Sequence, residues 1–182
     1  MNTVMKHFLL SILTALLMAF SFSATAETSW VGALAPDFKL QDQNEEWKSL
    51  EDYKGQWLVL YFYPKDDTPG CTTEAKNFRD GYKDIKALNA DVVGVSLDDV
   101  ESHKSFAEIH GLPFSILADV NKEAATAYDV LGGFGPVEYA KRQTFIIDPE
   151  GNIVYHYDDV DPDTHMKDVV AKLKELKKGL AE

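Results

Sequence analysis

The sequence is nearly without cysteine: among its 182 residues there is one, Cys71. A chain with a single thiol forms no intrachain disulfide and carries no Cys-x-x-Cys motif, the usual site of thiol–disulfide exchange. An unpaired cysteine is most often a small buried packing residue. Cys71, however, follows residues 68–70 (Thr-Pro-Gly) and precedes residues 72–74 (Thr-Thr-Glu). Such polar neighbours favour a reactive thiol over an inert one.

Positive charge is also scarce, with 18 Lys and Arg against 30 Asp and Glu and a net charge of −12. An acidic surface repels phosphate backbones, so we predict no nucleic-acid binding. The sole basic grouping, four lysines within residues 172–178, fits a solvated helix face near a C-terminus, where cations suit the helix dipole.

Metal and cofactor motifs are missing as well. His103 and His110 lie seven residues apart, whereas a helical metal pair needs a spacing of four. The triplet Asp159, Asp161 and Asp163 is not followed by the glycine and glutamate of a calcium loop. There is no glycine-rich phosphate loop. We therefore expect no metal and no cofactor.

One long apolar run is present, over residues 8–22, and it is followed by Ala24-x-Ala26. This pattern predicts a secretory signal peptide over residues 1–26, a domain over residues 27–182, and a periplasmic or secreted protein with no membrane association after cleavage. The alternative is an uncleaved anchor, but the run is shorter than the roughly 20 residues that span a bilayer.

The rest of the chain alternates strand and helix patterns. The continuous apolar run Trp57–Tyr63 predicts a central strand that is buried on both faces, and residues 72–88 have helical periodicity. Further predicted elements are a leading hairpin within 31–49, a capped turn over 49–55, strands over 92–97, 114–117, 143–147 and 153–157, and helices over 100–109, 121–128 and 163–178. Residues 132–136, rich in glycine, suggest a mobile loop near the active site. Together these elements predict an α/β fold whose mixed central sheet has helices on both faces.

This arrangement places Cys71 between a strand and a helix, at or just before the first helical turn. Unpaired backbone N–H groups point outward there and favour anions. We expect the thiol to ionise readily, and the thiolate is the nucleophilic form.

The spacing Pro64-x-x-x-Thr68-x-x-Cys71 resembles the peroxiredoxin active-site signature. The amino-acid sequence of residues 63–66 and 69–72 is similar to that of the bacterioferritin-comigratory (Q-type) subgroup of that family. A second match begins at Arg142, directly before a predicted strand. The resemblance covers residues 30–178 and implies a thioredoxin-like fold.

The resemblance also implies a peroxidase whose catalytic residues are Cys71, Thr68, Arg142 and Pro64. Thr68 and Arg142 would donate hydrogen bonds to the departing peroxide oxygen, and Pro64 would shield the sulfur from water. We assign Glu74 to the helix dipole alone and leave it out of the catalytic set.

Many members of the subgroup carry a second cysteine five residues after the first, where this chain has Lys76. The prediction is a one-cysteine cycle: peroxide converts Cys71 to a sulfenic acid, and an external thiol (thioredoxin-like, glutaredoxin-like or small) reduces it. The resemblance favours a monomer. Two alternatives stay open, a thiol–disulfide exchange protein and a non-catalytic binding or chaperone-like domain that uses Cys71 for covalent dimerisation.

Overall fold

The computed structural model describes residues 30–179, which form a seven-stranded sheet, a separate two-stranded sheet and four α-helices. The strands are β1 (Lys39–Asp42), β2 (Trp47–Ser49), β3 (Trp57–Phe62), β4 (Ala90–Ser96), β5 (Ser115–Ala118), β6 (Leu131–Phe134), β7 (Val137–Ala140), β8 (Gln143–Ile147) and β9 (Ile153–Tyr157). The helices are α1 (Pro69–Ala87), α2 (Val100–His110), α3 (Glu123–Ala127) and α4 (His165–Gly179), and a 3-10 turn spans Leu50–Tyr53.

The large sheet has the order β2-β1-β5-β4-β3-β8-β9. Strand β3 runs parallel to β4 and antiparallel to β8, so the sheet is mixed as predicted. Every residue of β3 is buried. The prediction of a central strand that is buried on both faces is therefore confirmed for β3, and this burial explains its unbroken apolar run.

Side chains of β3 alternate between two cores. On one face they join α1, α2 and α4, and on the other they join α3 and the 3-10 turn. The prediction of helices on both faces is confirmed. The alternating residues are Trp57, Val59 and Tyr61 toward the three-helix face and Leu58, Leu60 and Phe62 toward the opposite face.

Helix α1 begins three residues earlier than predicted. Thr68 is its N-cap in an extended conformation and Pro69 is the first helical residue, where a missing N–H costs nothing. Helix α2 is capped by Asp99, whose side chain accepts a hydrogen bond from the Ser102 N–H, and it ends at Gly111 in the left-handed conformation.

Two segments differ from the sequence-based expectation. The glycine-rich stretch is a hairpin of β6 and β7 that turns at Gly135, whose φ is +60°, rather than an irregular loop. Helix α3 is shorter than predicted, because Lys122 precedes it with a left-handed φ of +63°.

The predicted signal peptide, residues 1–26, lies outside the described residues. Among residues 30–179, none of the helices is long and apolar enough to cross a bilayer.

Candidate active site

The sheet topology determines where the site forms. Strand β3 ends at Phe62, and the loop that follows it leads into α1 and Cys71. Because β8 is antiparallel to β3, with Gln143 opposite Phe62, the start of β8 lies at the same sheet edge as the end of β3. Arg142 immediately precedes β8 and is therefore brought to the start of α1.

Cys71 is the third residue of α1, in the first helical turn, and only 2% of its surface is exposed. It belongs to the three-helix core, together with Ala75 and Phe78 of the same helix. The sulfur thus lies at the positive end of a helix dipole and is largely shielded from bulk water.

Arg142 contacts the sulfur directly, since its Nη2 donates to Cys71 Sγ at 3.1 Å. Burial alone would lower the pKa of Arg142, but the charges of Glu74 and Cys71 outweigh burial and raise it. The guanidinium stays cationic and presents several donors in a rigid fork. A Cβ added to Gly70 would stand 3.3 Å from Arg142 Nη2, so the glycine leaves room for this close approach.

Glu74 holds the other side of that guanidinium, because Arg142 Nη1 donates to its Oε2. The Glu74 side chain is 1% exposed. Burial raises its pKa to about 7, against the opposing effect of Arg142. Our assignment of Glu74 to the helix dipole alone missed this contact, although a spacing of three residues from Cys71 places both on one helix face.

A neutral imidazole completes the buried surroundings of Glu74. The Oε1 atom of Glu74 has no hydrogen-bond partner among the described residues, and the Nε2 atom of His165 lies 4.0 Å from it. His165 Nε2 is 2.9 Å from Thr144 Oγ1. Burial lowers the pKa of His165 to about 4, so the ring is uncharged at neutral pH.

Thr68 and Pro64 lie on the loop between β3 and α1, and both are partly buried. The Thr68 hydroxyl donates to the Lys65 carbonyl at 3.0 Å, so its oxygen offers lone pairs rather than a proton to a bound molecule. The donor role that we assigned to Thr68 is therefore not available in this arrangement, whereas an acceptor role is.

No group of three or more His, Cys, Asp or Glu side chains within residues 30–179 is arranged to hold a metal ion.

A buried cysteine at a helix N-terminus, in contact with an arginine that immediately precedes a neighbouring strand, is typical of a thiol-based redox enzyme. The model of the AhpC/TSA family matches residues 31–156, and the chain belongs to this family. The peroxiredoxin family that the sequence motifs indicated is thereby confirmed.

Relatives support the same assignment. The chain is 43% identical over 151 residues to Peroxiredoxin Bcp of Bacillus subtilis, covering 80% of this chain and 96% of the relative. It is 39% identical over 150 residues to the chloroplastic Peroxiredoxin Q of Triticum aestivum, covering 80% and 67%.

Solved structures agree with these relatives. Peroxidoxin BcpB of Mycobacterium tuberculosis superimposes with a TM-score of 0.75 at 32% identity, covering 80% of this chain and 96% of that one. Peroxiredoxin Q of Xanthomonas campestris gives a TM-score of 0.72 at 34% identity, covering 76% and 90%. The thioredoxin-like peroxiredoxin fold is confirmed, and with it the prediction of a thiol-dependent peroxidase.

Proposed function

We propose that the protein reduces hydrogen peroxide and small organic hydroperoxides through a sulfenic acid on Cys71, which an external thiol then reduces. The observation that carries this proposal is the 3.1 Å contact between Arg142 Nη2 and Cys71 Sγ at the start of α1. This contact leaves a fixed cation beside the sulfur, where an oxygen anion develops during the reaction.

In the first step the Cys71 thiolate attacks one peroxide oxygen. The O–O bond breaks, the sulfur becomes a sulfenic acid, and the second oxygen leaves as an alkoxide or hydroxide that takes a proton from solvent. Arg142 donates to the departing oxygen, and the Thr68 hydroxyl oxygen accepts from the peroxide O–H. We assign to Pro64, on the same loop as Thr68, the role of shielding the sulfur from water.

Acidity of the thiol alone does not explain a fast peroxidase. An ordinary thiol with a pKa near 8.5 is roughly 3% ionised at neutral pH, so complete ionisation gains only about 30-fold, or about 2 kcal/mol. A lower thiol pKa also weakens nucleophilicity. Most of the acceleration must therefore come from Arg142 and the neighbouring donors acting on the transition state.

The second half of the cycle uses two equivalents of thiol. The first condenses with the sulfenic acid to form a mixed disulfide and water, and the second releases the Cys71 thiol and a disulfide product. A protein with one cysteine requires these thiols from outside, either a thioredoxin-like or glutaredoxin-like protein or a small thiol.

We also propose that the protein acts outside the bacterial cytoplasm and as a monomer. The apolar run over residues 8–22 and the Ala24-x-Ala26 pattern support export. An N-terminus at Glu27, measured by mass spectrometry on protein from an envelope fraction, is the expected result. Light scattering is expected to give the mass of a single chain.

Single-turnover stopped-flow kinetics without reductant test the proposed reaction. We expect one peroxide consumed per thiol, no fast reaction in Cys71→Ser, and a rate reduced at least about 10-fold in Arg142→Ala, since a lost transition-state donor typically costs more than 2 kcal/mol. Wild-type protein that reacts no faster than a free thiol would favour the exchange or binding alternatives instead.

A further inference from the structure

The active-site loop, residues 63–68, is fixed to the protein through a buried carboxylate that the proposed chemistry does not use. The Asp66 side chain is 2% exposed. Its Oδ1 accepts from the Tyr63 hydroxyl at 2.7 Å, and its Oδ2 accepts from the Ser102 hydroxyl at 2.7 Å. His103 Nδ1 lies 2.8 Å from the same Oδ2. All of these partners are themselves buried or partly buried.

Both ring nitrogens of His103 lie within hydrogen-bond distance of acceptor atoms. Its Nε2 lies 3.1 Å from the Leu117 carbonyl of β5, and a carbonyl only accepts. Burial would raise the pKa of Asp66, but the hydrogen bonds from His103, Ser102 and Tyr63 outweigh it and lower that pKa. His103 therefore links Asp66 of the active-site loop to Leu117 of β5.

Helix α2 directs a second histidine to the same loop. His110 lies two turns after His103, and its Nε2 is 3.4 Å from Asp67 Oδ1. The two pairs differ in exposure: His103 and Asp66 are 0% and 2% exposed, whereas His110 and Asp67 are 18% and 60% exposed. Solvent screens the outer pair, while the inner pair is held by its surroundings. The seven-residue spacing of His103 and His110, which argued against a metal site, places both side chains where they can contact the active-site loop.

Two further features show that the loop conformation has to be imposed. Asp67 has a left-handed φ of +56°, which is uncommon for a residue other than glycine. The Asp66 N–H donates to Asp98 Oδ2 at 2.9 Å, so its backbone is also fixed from outside the loop. Thr68 follows two residues later. We expect a change at Asp66 to be transmitted to Thr68 and Pro64, whereas Arg142 reaches Cys71 from the residue before β8.

We propose that the His103–Asp66 pair positions the active-site loop for peroxide reduction, so that Pro64 and Thr68 frame the sulfur. This inference rests on the proposed function at Cys71. The pair does not touch peroxide, and it acts through the loop. Its loss should slow the reaction with peroxide but leave the contact between Arg142 and Cys71 in place, because Arg142 does not belong to the loop.

The test compares His103→Gln and Asp66→Asn with His110→Gln, a matched control on the same helix. Stopped-flow rates with hydrogen peroxide and the thiolate absorbance near 240 nm as a function of pH are measured for each variant. We expect a rate loss of about 10- to 100-fold in the two buried variants, the usual cost of a small misplacement, with a nearly unchanged thiolate titration. His110→Gln should react within about 2-fold of wild type, since an exposed pair contributes little.

Tyr128→Phe is the control for a loss of stability alone. It removes a hydrogen bond from the buried Tyr128 ring to the Pro36 carbonyl, on the sheet face opposite to the active site. This variant should lose stability but keep the peroxide rate. Equal rates in wild type, His103→Gln and Asp66→Asn would overturn the proposal, as would a parallel change in the thiolate titration. A slow wild-type protein would instead overturn the proposed function.

Ser102→Ala keeps the proposal testable if the buried variants do not fold, because it removes one hydrogen bond to Asp66 Oδ2 and leaves the pair itself in place. We expect its rate with hydrogen peroxide to fall by about 3- to 10-fold, since one hydrogen bond that holds the loop is lost. A folded Ser102→Ala protein that reacts as fast as wild type would contradict the proposal.

Discussion

Glu74 connects the candidate site to the stability of the protein, because it is a buried acid with one oxygen bonded to Arg142 and the other without a partner among the described residues. Burial raises its pKa from 4.5 to about 7 in the folded protein. The folded state therefore binds this proton more tightly than the unfolded state does. The resulting contribution to stability is fully present below about pH 4.5 and is lost as the pH rises through about 7.

Glu74→Gln should remove this pH dependence, since glutamine is neutral throughout and has nearly the same volume. We expect the unfolding free energy of wild type to fall relative to that of Glu74→Gln between pH 5 and pH 8, by up to about 3 kcal/mol. Urea unfolding of both proteins at several pH values measures the difference. The titration of His165 affects both proteins alike and largely cancels.

Glu108→Gln, which alters an exposed glutamate on α2, provides the control and should keep the pH dependence that Glu74 gives to wild type. If wild type instead gains stability relative to Glu74→Gln as the pH rises, the charge of Arg142 outweighs burial. Glu74 is then ionised throughout this range.

At the scale of elements, the contact between β3 and β4 depends on one glycine. Tyr61 is opposite Gly94 in the parallel register, and a Cβ on Gly94 would lie 2.8 Å from the Tyr61 hydroxyl oxygen and 2.9 Å from Ile116 Cγ2. The Tyr61 ring is fully buried among Tyr63, Phe78 and Phe114 and has little room to move. Its hydroxyl has no partner within the part of the chain that the structure describes.

Gly94→Ala should therefore destabilise the protein by about 1–3 kcal/mol through overpacking. Tyr61→Phe alone should be neutral or slightly stabilising, because it removes a buried hydroxyl that makes no hydrogen bond. In the double variant the lost hydroxyl relieves part of the clash, so we expect the combined effect to be smaller than the sum. Urea unfolding of the four proteins in this cycle measures the coupling. Strict additivity would show that the ring, and not its hydroxyl, limits the space.

The elements that could be predicted from the sequence are those with strong local patterns. The apolar run of β3 and the periodicity of α1 follow from local composition, and both are present with boundaries shifted by a few residues. The β6–β7 hairpin was missed because its glycines indicated a loop, although apolar residues flank the turn at Gly135. Whether a segment with a weak strand pattern forms a strand depends on its pairing with a neighbouring strand, and the local sequence does not show that pairing.

The candidate site was less predictable than the elements. The Arg142–Cys71 contact joins residues 71 positions apart, and only the family resemblance indicated it. The burial of Glu74 and the pairing of His103 with Asp66 depend on how α1 and α2 pack on the sheet. Acidic residues are mostly exposed in proteins, so residue type alone predicts exposure for Glu74 and Asp66, which are both buried.

At the scale of the whole molecule, a single thiol means that oxidation and folding are not coupled by an internal disulfide. Lys76, exposed on α1 five residues after Cys71, is the position at which a second thiol would introduce that coupling. Residues five apart on a helix have Cα atoms separated by about 8–9 Å. A disulfide requires less than about 7 Å, so it would form only if the start of α1 unwinds.

We therefore predict that Lys76→Cys diverts the Cys71 sulfenic acid into an intrachain disulfide. After one equivalent of peroxide without reductant, intact-mass spectrometry should show the loss of two hydrogens in the variant, where wild type gains one oxygen and then a second with excess peroxide. Far-UV circular dichroism should show less helix in the oxidised variant, because the first turns of α1 have unwound. Lys83→Cys, an exposed position on the same helix about 18 Å from Cys71 along the axis, should behave as wild type. The same oxygenated species in Lys76→Cys as in wild type would mean that the packing of Ala75 and Phe78 in the core keeps α1 closed during the life of the sulfenic acid.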